Sequence, residues 1–403
     1  MTSETTELRR LAQAVLSARP LADVLEPPVR VAGPAELSSL LGRMTGRLGA
    51  PELRPVGDPG DPGELGVFER VISEHLALGR PGLDPDVPPE TVDRTVDDVA
   101  ANGFEGFCAR EQVAAPGGGP ALTAYAAGRR EDPAVVVVMP CGMPARLAEE
   151  WMRFLAVDHF VLTWETRGLF GDVGDVTAAG PPPAEIGAQA GDLLAVMDHF
   201  GVGQAHLMCL CGGAVIGLAA AHQDVAEGRD ASSSRVGSLS LWHGDFAGIP
   251  AAEKTSHQQN LVALMEMGAA GPDRAAAIHP VLCQTMLSEV PPDLAHLVVY
   301  PYATPELLYR YCRVNGTIMT TDVTPWLSGI GRPVLVVTST DDRTAHPDGS
   351  KTVAQALPDA ILHVRPHGDH ISLFKGGADL MPLLGDFIDS LPDLCRTSGP
   401  TFL

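Results

Sequence analysis

The stretch His206-Leu207-Met208-Cys209-Leu210-Cys211-Gly212-Gly213-Ala214-Val215-Ile216-Gly217 carries the reading of this chain. Its first half is apolar and reads as a buried strand. Its second half is built of small residues and reads as the first turns of a helix. Almost nothing separates the two, so the turn between them is sharp. Small side chains two before and two after its central residue let the helix pack hard against the strand and hold that residue strained at the tip. Centred on Cys211, those flanks are Cys209 and Gly213. Centred on Cys209, they would be Leu207 and Cys211, which fits poorly. Cys211 is therefore the candidate nucleophile. A thiol at this place stands at the C-terminal edge of a sheet and at a helix N-terminus, whose dipole favours thiolate.

Outward from the turn, strands alternate with helices. Upstream, Ala134 to Met139 is a run of valines, as expected for a strand buried on both faces, and Phe160 to Trp164 is another short strand. A helix covers Pro183 to Phe200. Downstream, Val236 to Trp242, Pro333 to Thr338 and Ala360 to Val364 read as strands, and Met381 to Leu391 as a last helix. Phe107 to Ala114 and Ala121 to Ala127 flank Pro116-Gly117-Gly118-Gly119-Pro120 as a hairpin. That glycine run is a turn and not a phosphate cradle, because no GK[ST] follows it. The fold class expected is α/β: a mostly parallel sheet flanked by helices.

Residues 1–105 form an expected helical N-terminal extension, with helical apolar spacing over Leu8 to Leu16, Glu36 to Leu48 and Val67 to Leu78. The expected core is 106–248 and 327–395, with 249–326 a helical insertion. The extension is read either as packing or homodimerisation surface or as a wall over the substrate cleft.

The formal net charge is -22 over 403 residues, which disfavours a nucleic-acid backbone or an anionic membrane as partner. Seven cysteines without CxxC pairing argue against a disulfide framework and for a reducing compartment. No apolar run approaches the roughly 18 residues of a membrane span. The start Met1-Thr2-Ser3-Glu4 shows no basic-then-apolar leader, so a cytoplasmic location is expected. No HExxH or CxxC is present, so neither metal nor other cofactor is expected. The first buried strand ends in Met139-Pro140-Cys141-Gly142 rather than GxGxxG, which disfavours a dinucleotide fold. His206, midway along a strand, is read as a core histidine. His243 and His257 are read as candidate substrate contacts.

The helix and strand leading into Cys211, Asp192 to Val202 and then Ala205 to Leu207, resemble the run into the nucleophile elbow of the α/β-hydrolase superfamily. Most members carry serine there; cysteine is found in dienelactone hydrolases and polyhydroxyalkanoate synthases. The resemblance implies that fold, with 249–326 as its lid, and a triad in the order nucleophile, acid, base. The loop after Val334 to Thr338 resembles the one carrying the family's acid and implies Asp342, with Asp341 and Asp245 as alternatives. The segment Pro366-His367-Gly368-Asp369-His370 resembles the one carrying its base and implies His370, with His367 as the competitor. An oxyanion hole would take the backbone N–H of Gly212 and that of Gly142 or Met143. Trp164-Glu165-Thr166-Arg167-Gly168 stands where the family usually has Asp-x-Arg-Gly, a structural turn whose arginine ties loops together.

This implies an enzyme acting on an ester or thioester of a small-molecule acyl substrate, by acyl transfer or hydrolysis, in secondary metabolism. A weaker resemblance is to hydrolase-like proteins of bacterial tetronate and polyketide pathways, in which acetate is eliminated from an O-acetylated intermediate to leave an exocyclic alkene. It rests on Trp164 to Gly171, Leu210 to Gly213 and the helical N-terminus. A non-catalytic small-molecule receptor on the same fold is the third reading.

Overall fold

The computed structural model describes residues 3–57, 65–171, 181–230, 233–287 and 292–391. Residues 392–395 of the expected core lie outside these. The chain forms two compact units. One comprises Met1–Ala109 and His279–Leu307, the other Arg110–Ile278 and Leu308–Leu403. The insertion expected at 249–326 is thus shared between them.

The first unit holds the helices Ser3–Asp23, Ser38–Leu48, Val67–Leu76 and Pro89–Asn102, and a parallel pair of short strands, β1 (Val29–Val31) and β2 (Leu53–Pro55). The last of those helices was not expected. Pro89 pre-sets its first turn, and Val92, Val96 and Val99 form its buried stripe. Residues 279–307 join this unit through the helix Pro292–Val298, which packs on Val67–Leu76 and Ser3–Asp23. There the His296 ring stacks on His75 with centroids 3.5 Å apart and shares a 2.6 Å hydrogen bond with the Ser17 hydroxyl.

The second unit is built on an eight-stranded sheet. Its strands are β3 (Ala109–Val113), β4 (Leu122–Ala127), β5 (Ala134–Val138), β6 (Phe160–Trp164), β7 (Ala205–Leu210), β8 (Val236–Trp242), β9 (Val334–Ser339) and β10 (Ala360–Arg365), in the order β10-β9-β8-β7-β5-β6-β4-β3. From β10 across to β6 neighbouring strands run parallel, and β4 joins β6 antiparallel. The strands β5 to β9 are buried along their whole length; β5 is an unbroken apolar run, and the others carry Thr163, His206, Ser238, Ser240, Thr338 and Ser339 among their apolar residues. This is an α/β-hydrolase fold.

Register brings the ends of the central strands together. Leu210 of β7 lies beside Trp242 of β8, and Trp242 beside Val337 of β9. The residues that follow these positions therefore emerge at one edge of the sheet, where ligand sites of open α/β sheets lie. Among the described residues no helix is long and apolar enough to cross a membrane.

Candidate active site

Cys211 follows β7 directly and has φ 52, a left-handed conformation that side chains avoid. Its N–H donates to the Trp242 carbonyl at 2.9 Å, so β8 anchors the turn. The helix Gly213–Ala226 starts two residues later. A Cβ on Gly213 would lie 2.2 Å from the Val138 carbonyl oxygen, and one on Gly217 2.4 Å from Cys209 Sγ. The run of small residues is thus what lets this helix lie on β5 and β7. The Cys211 side chain is half-buried, whereas Cys209 is fully buried and desolvation drives its thiol pKa upward.

Asp342 lies in the loop after β9 and is buried. All its acceptor positions are used. Oδ1 accepts the backbone N–H groups of Thr344 and Ala345, both at 2.9 Å. Oδ2 accepts Nδ1–H of His370 at 2.9 Å and Nδ1–H of His243 at 2.8 Å. Burial alone would raise the carboxyl pKa, but the charge of His370 and the hydrogen bonds from both rings outweigh it and hold the group well below the ordinary aspartate range.

His370 sits in the loop after β10. Gly368, at φ 132, leaves no Cβ to strike the Arg365 guanidinium, which would lie 2.4 Å away. Beyond it, Asp369 Oδ1 accepts the Ser372 N–H at 2.7 Å, which fixes the loop just ahead of the short helix Ser372–Lys375. Burial would depress the His370 imidazolium, yet the charge of Asp342 and its hydrogen bond, with Cys211 beside the ring, raise its pKa well above the usual histidine value. The contact with Cys211 is loose, because His370 Nε2 is buried without a partner at good hydrogen-bonding geometry. Such contacts commonly tighten only with substrate in place.

The alternative residues lie apart from this group. Asp341 and His367 pair with each other on the surface, Nδ1 to Oδ2 at 3.0 Å. Asp245 is buried, which raises its carboxyl pKa, and accepts Gln258 Nε2–H at 2.7 Å; it makes no hydrogen bond to the His370 ring among those described. Of the expected oxyanion donors, Gly212 opens the helix after Cys211, where N–H groups lack intrahelical acceptors. Gly142 N–H is already given to Thr166 Oγ1 at 3.0 Å, and Met143 N–H to the Pro140 carbonyl at 3.3 Å. Thr166 also hydrogen-bonds Cys141, whose buried thiol is pushed up to about 12.

Two further expectations can be placed. His206 is a core histidine whose nitrogens meet Ser238 Oγ at 2.8 Å and Ser240 Oγ at 2.9 Å, and burial pushes its pKa down to about 3. Arg167 is buried against Asp192, Nη2 to Oδ1 at 2.7 Å, and donates to the carbonyls of Pro116 and Gly118, so it ties the β3–β4 turn to the helix Ile186–His199.

His243 was expected to be a substrate contact. It is instead fully buried on Asp342. It stands one residue past β8 as Cys211 stands one past β7, and it too has positive φ, at 47. Nothing in sequence spacing links it to Asp342, 99 residues on; only strand register does. His243 Nδ1, Asp342 Oδ2 and His370 Nδ1 lie within 4.8 Å of one another, the one grouping among the described residues that could hold a metal ion. Two hydrogen bonds account for all three atoms.

No protein-family model and no curated protein matches this sequence. Among solved structures, the chain is similar to an enol-lactonase from Burkholderia xenovorans LB400, at TM-score 0.54 and 20% identity over 70% of this chain and 100% of that one. It is similar to a hydrolase from Pseudomonas aeruginosa PA01, at TM-score 0.55 and 18% identity over 70% and 98%. An esterase from Rhodococcus sp. ECU1013 matches at TM-score 0.53 and 18% identity over 70% and 99%. At these identities the likeness establishes the fold.

Proposed function

We propose that this protein is an enzyme that acts on the ester or thioester carbonyl of a small molecule through Cys211, His370 and Asp342. The observation that carries the reading is the thiol on a strained turn at the head of a helix, beside the His370 imidazole that Asp342 holds through Nδ1. The similar folds described as lactonase and esterase agree with a carbonyl substrate.

The chemistry follows from the roles. Cys211 Sγ attacks the carbonyl carbon, and its proton passes to His370 Nε2. The C–S bond forms and the oxyanion turns toward backbone N–H groups. Gly212 supplies one. Met143 is the more readily released of the other two, since its 3.3 Å bond is longer than that of Gly142. When the tetrahedral intermediate collapses, the bond to the leaving alcohol or thiol breaks and His370 returns the proton to it. Water or an acceptor hydroxyl then attacks the acyl-thioester, giving its proton to His370 while the C–S bond breaks. Asp342 keeps Nδ1 protonated throughout, so that Nε2 faces the chemistry.

Incubation with p-nitrophenyl esters and acyl thioesters of graded chain length tests this. The expected result is release of the leaving group with an acyl group mapped to Cys211, and a loss of roughly 10⁴-fold or more in Cys211→Ala. Undiminished turnover in Cys211→Ala would overturn the assignment.

A further inference from the structure

We propose that His243 is a positioning residue of this site, a second imidazole on the acid that shares Asp342 Oδ2 with His370 and tempers its pull on that ring. The inference rests on the reading of Cys211, Asp342 and His370 given above, and adds a fourth member to it.

Three observations carry it. First, the contact is specific: His243 Nδ1 and His370 Nδ1 address the same oxygen, at 2.8 and 2.9 Å, with the rings 5.9 Å apart and nearly perpendicular. Second, the backbone bears strain to make it. Of the three non-glycine residues with positive φ among the described residues, Ala77 ends a helix, whereas Cys211 and His243 end neighbouring strands at the candidate site. The N–H of His243 donates to the Val337 carbonyl at 2.8 Å, so this turn is held by β9 as the Cys211 turn is held by β8. Strain kept at such a position points to a role for the side chain. Third, Asp342 does not need His243 to stay in place, because its other oxygen is fixed by two backbone N–H groups. A third support would be redundant. A competing donor on Oδ2 is not, since it draws on the lone pairs that stabilise the His370 imidazolium.

The charged groups acting on His243 are Asp342, His370 and Arg365. Burial, offset by Asp342 and reinforced by the charge of His370, lowers its own pKa. His243 therefore stays neutral with Nδ1 protonated, as a donor and not as a second cation. The groups acting on His370 are Asp342 and Cys211; Asp245, raised by burial, feels the charge of His370 in turn.

If His243 tempers the acid, removing it raises the proton affinity of His370, and the thiolate–imidazolium pair forms at lower pH. The test is the pH dependence of Cys211 alkylation by iodoacetamide in the full-length protein, read by peptide mapping, which needs no knowledge of the substrate. His243→Leu removes the donor. His243→Gly removes the donor and the backbone strain together, and keeps the test readable should the leucine variant fail to fold. In both, the alkylation midpoint is expected to move down by about one pH unit, the size of one hydrogen bond to a charged group. An unmoved or raised midpoint in a folded variant overturns the inference. A wild-type midpoint no lower than that of an ordinary thiol would instead overturn the reading of Cys211 itself, so the two failures are distinguishable.

Discussion

Asp342 is the residue on which the others converge: two backbone N–H groups on one oxygen, two imidazoles on the other. Its depressed pKa has a consequence for stability. The unfolded chain protonates this carboxyl near pH 3.9, the folded chain at a lower value. Its contribution is thus present above about pH 3.9 and is lost as pH falls through the folded value. Thermal melts of wild type and Asp342→Asn between pH 2 and 5 check this. The wild-type decline in that window is expected to be steeper; parallel curves would contradict it. The choice between Asp341 and Asp342 was open in the sequence because the two are adjacent. The fold separates them by turning one carboxylate onto Thr344 and Ala345 and leaving the other on the surface beside His367. His243 was legible as a residue but not as a partner, since its hydrogen bond to Asp342 depends on the neighbouring strands β8 and β9 ending in register.

At the scale of elements, the strand–turn–helix around Cys211 works only while its helix lies against β5 and β7. Gly213→Ala sets a Cβ 2.2 Å from a backbone oxygen of β5, which cannot swing aside. A loss of about 1–3 kcal/mol in denaturant-measured stability is expected. Gly203→Ala, with nothing within 4 Å, is expected to stay within about 0.5 kcal/mol of wild type. Equal effects at the two positions would show that close packing is not what the glycine at 213 provides. These elements were legible because buried parallel strands are mostly apolar: β5 is all Ala and Val, and β6, β7 and β9 are broken only by Thr163, by His206 and by Thr338 with Ser339, while β8 alternates Ser238 and Ser240 with Leu239 and Leu241. The helix Pro89–Asn102 had a readable signal in its Pro89 start and valine spacing. The three-residue strands β1 and β2 had none, since three residues carry no periodicity and pair by tertiary context alone. The second candidate oxyanion donor was legible only as a loop, Gly142 or Met143: which N–H is spoken for depends on Thr166, from the turn after β6.

Across the whole molecule, one thiol is unlike the rest. Cys108, Cys141, Cys209, Cys283 and Cys312 are buried, and Cys211 alone among the described cysteines is partly open. Desolvation pushes Cys141 and Cys312 up to about 12 and Cys283 to about 11, which keeps them protonated and inert near neutrality. Cys395 lies outside the described residues. The most direct measurement is therefore a competition among all seven cysteines. Native protein is treated near pH 7 with substoichiometric iodoacetamide, digested and mapped, in parallel with His370→Ala. Label is expected at Cys211 ahead of every other cysteine in the native protein, with loss of that preference in His370→Ala. Label spread evenly over several cysteines, or a Cys211 preference that survives without His370, would contradict it.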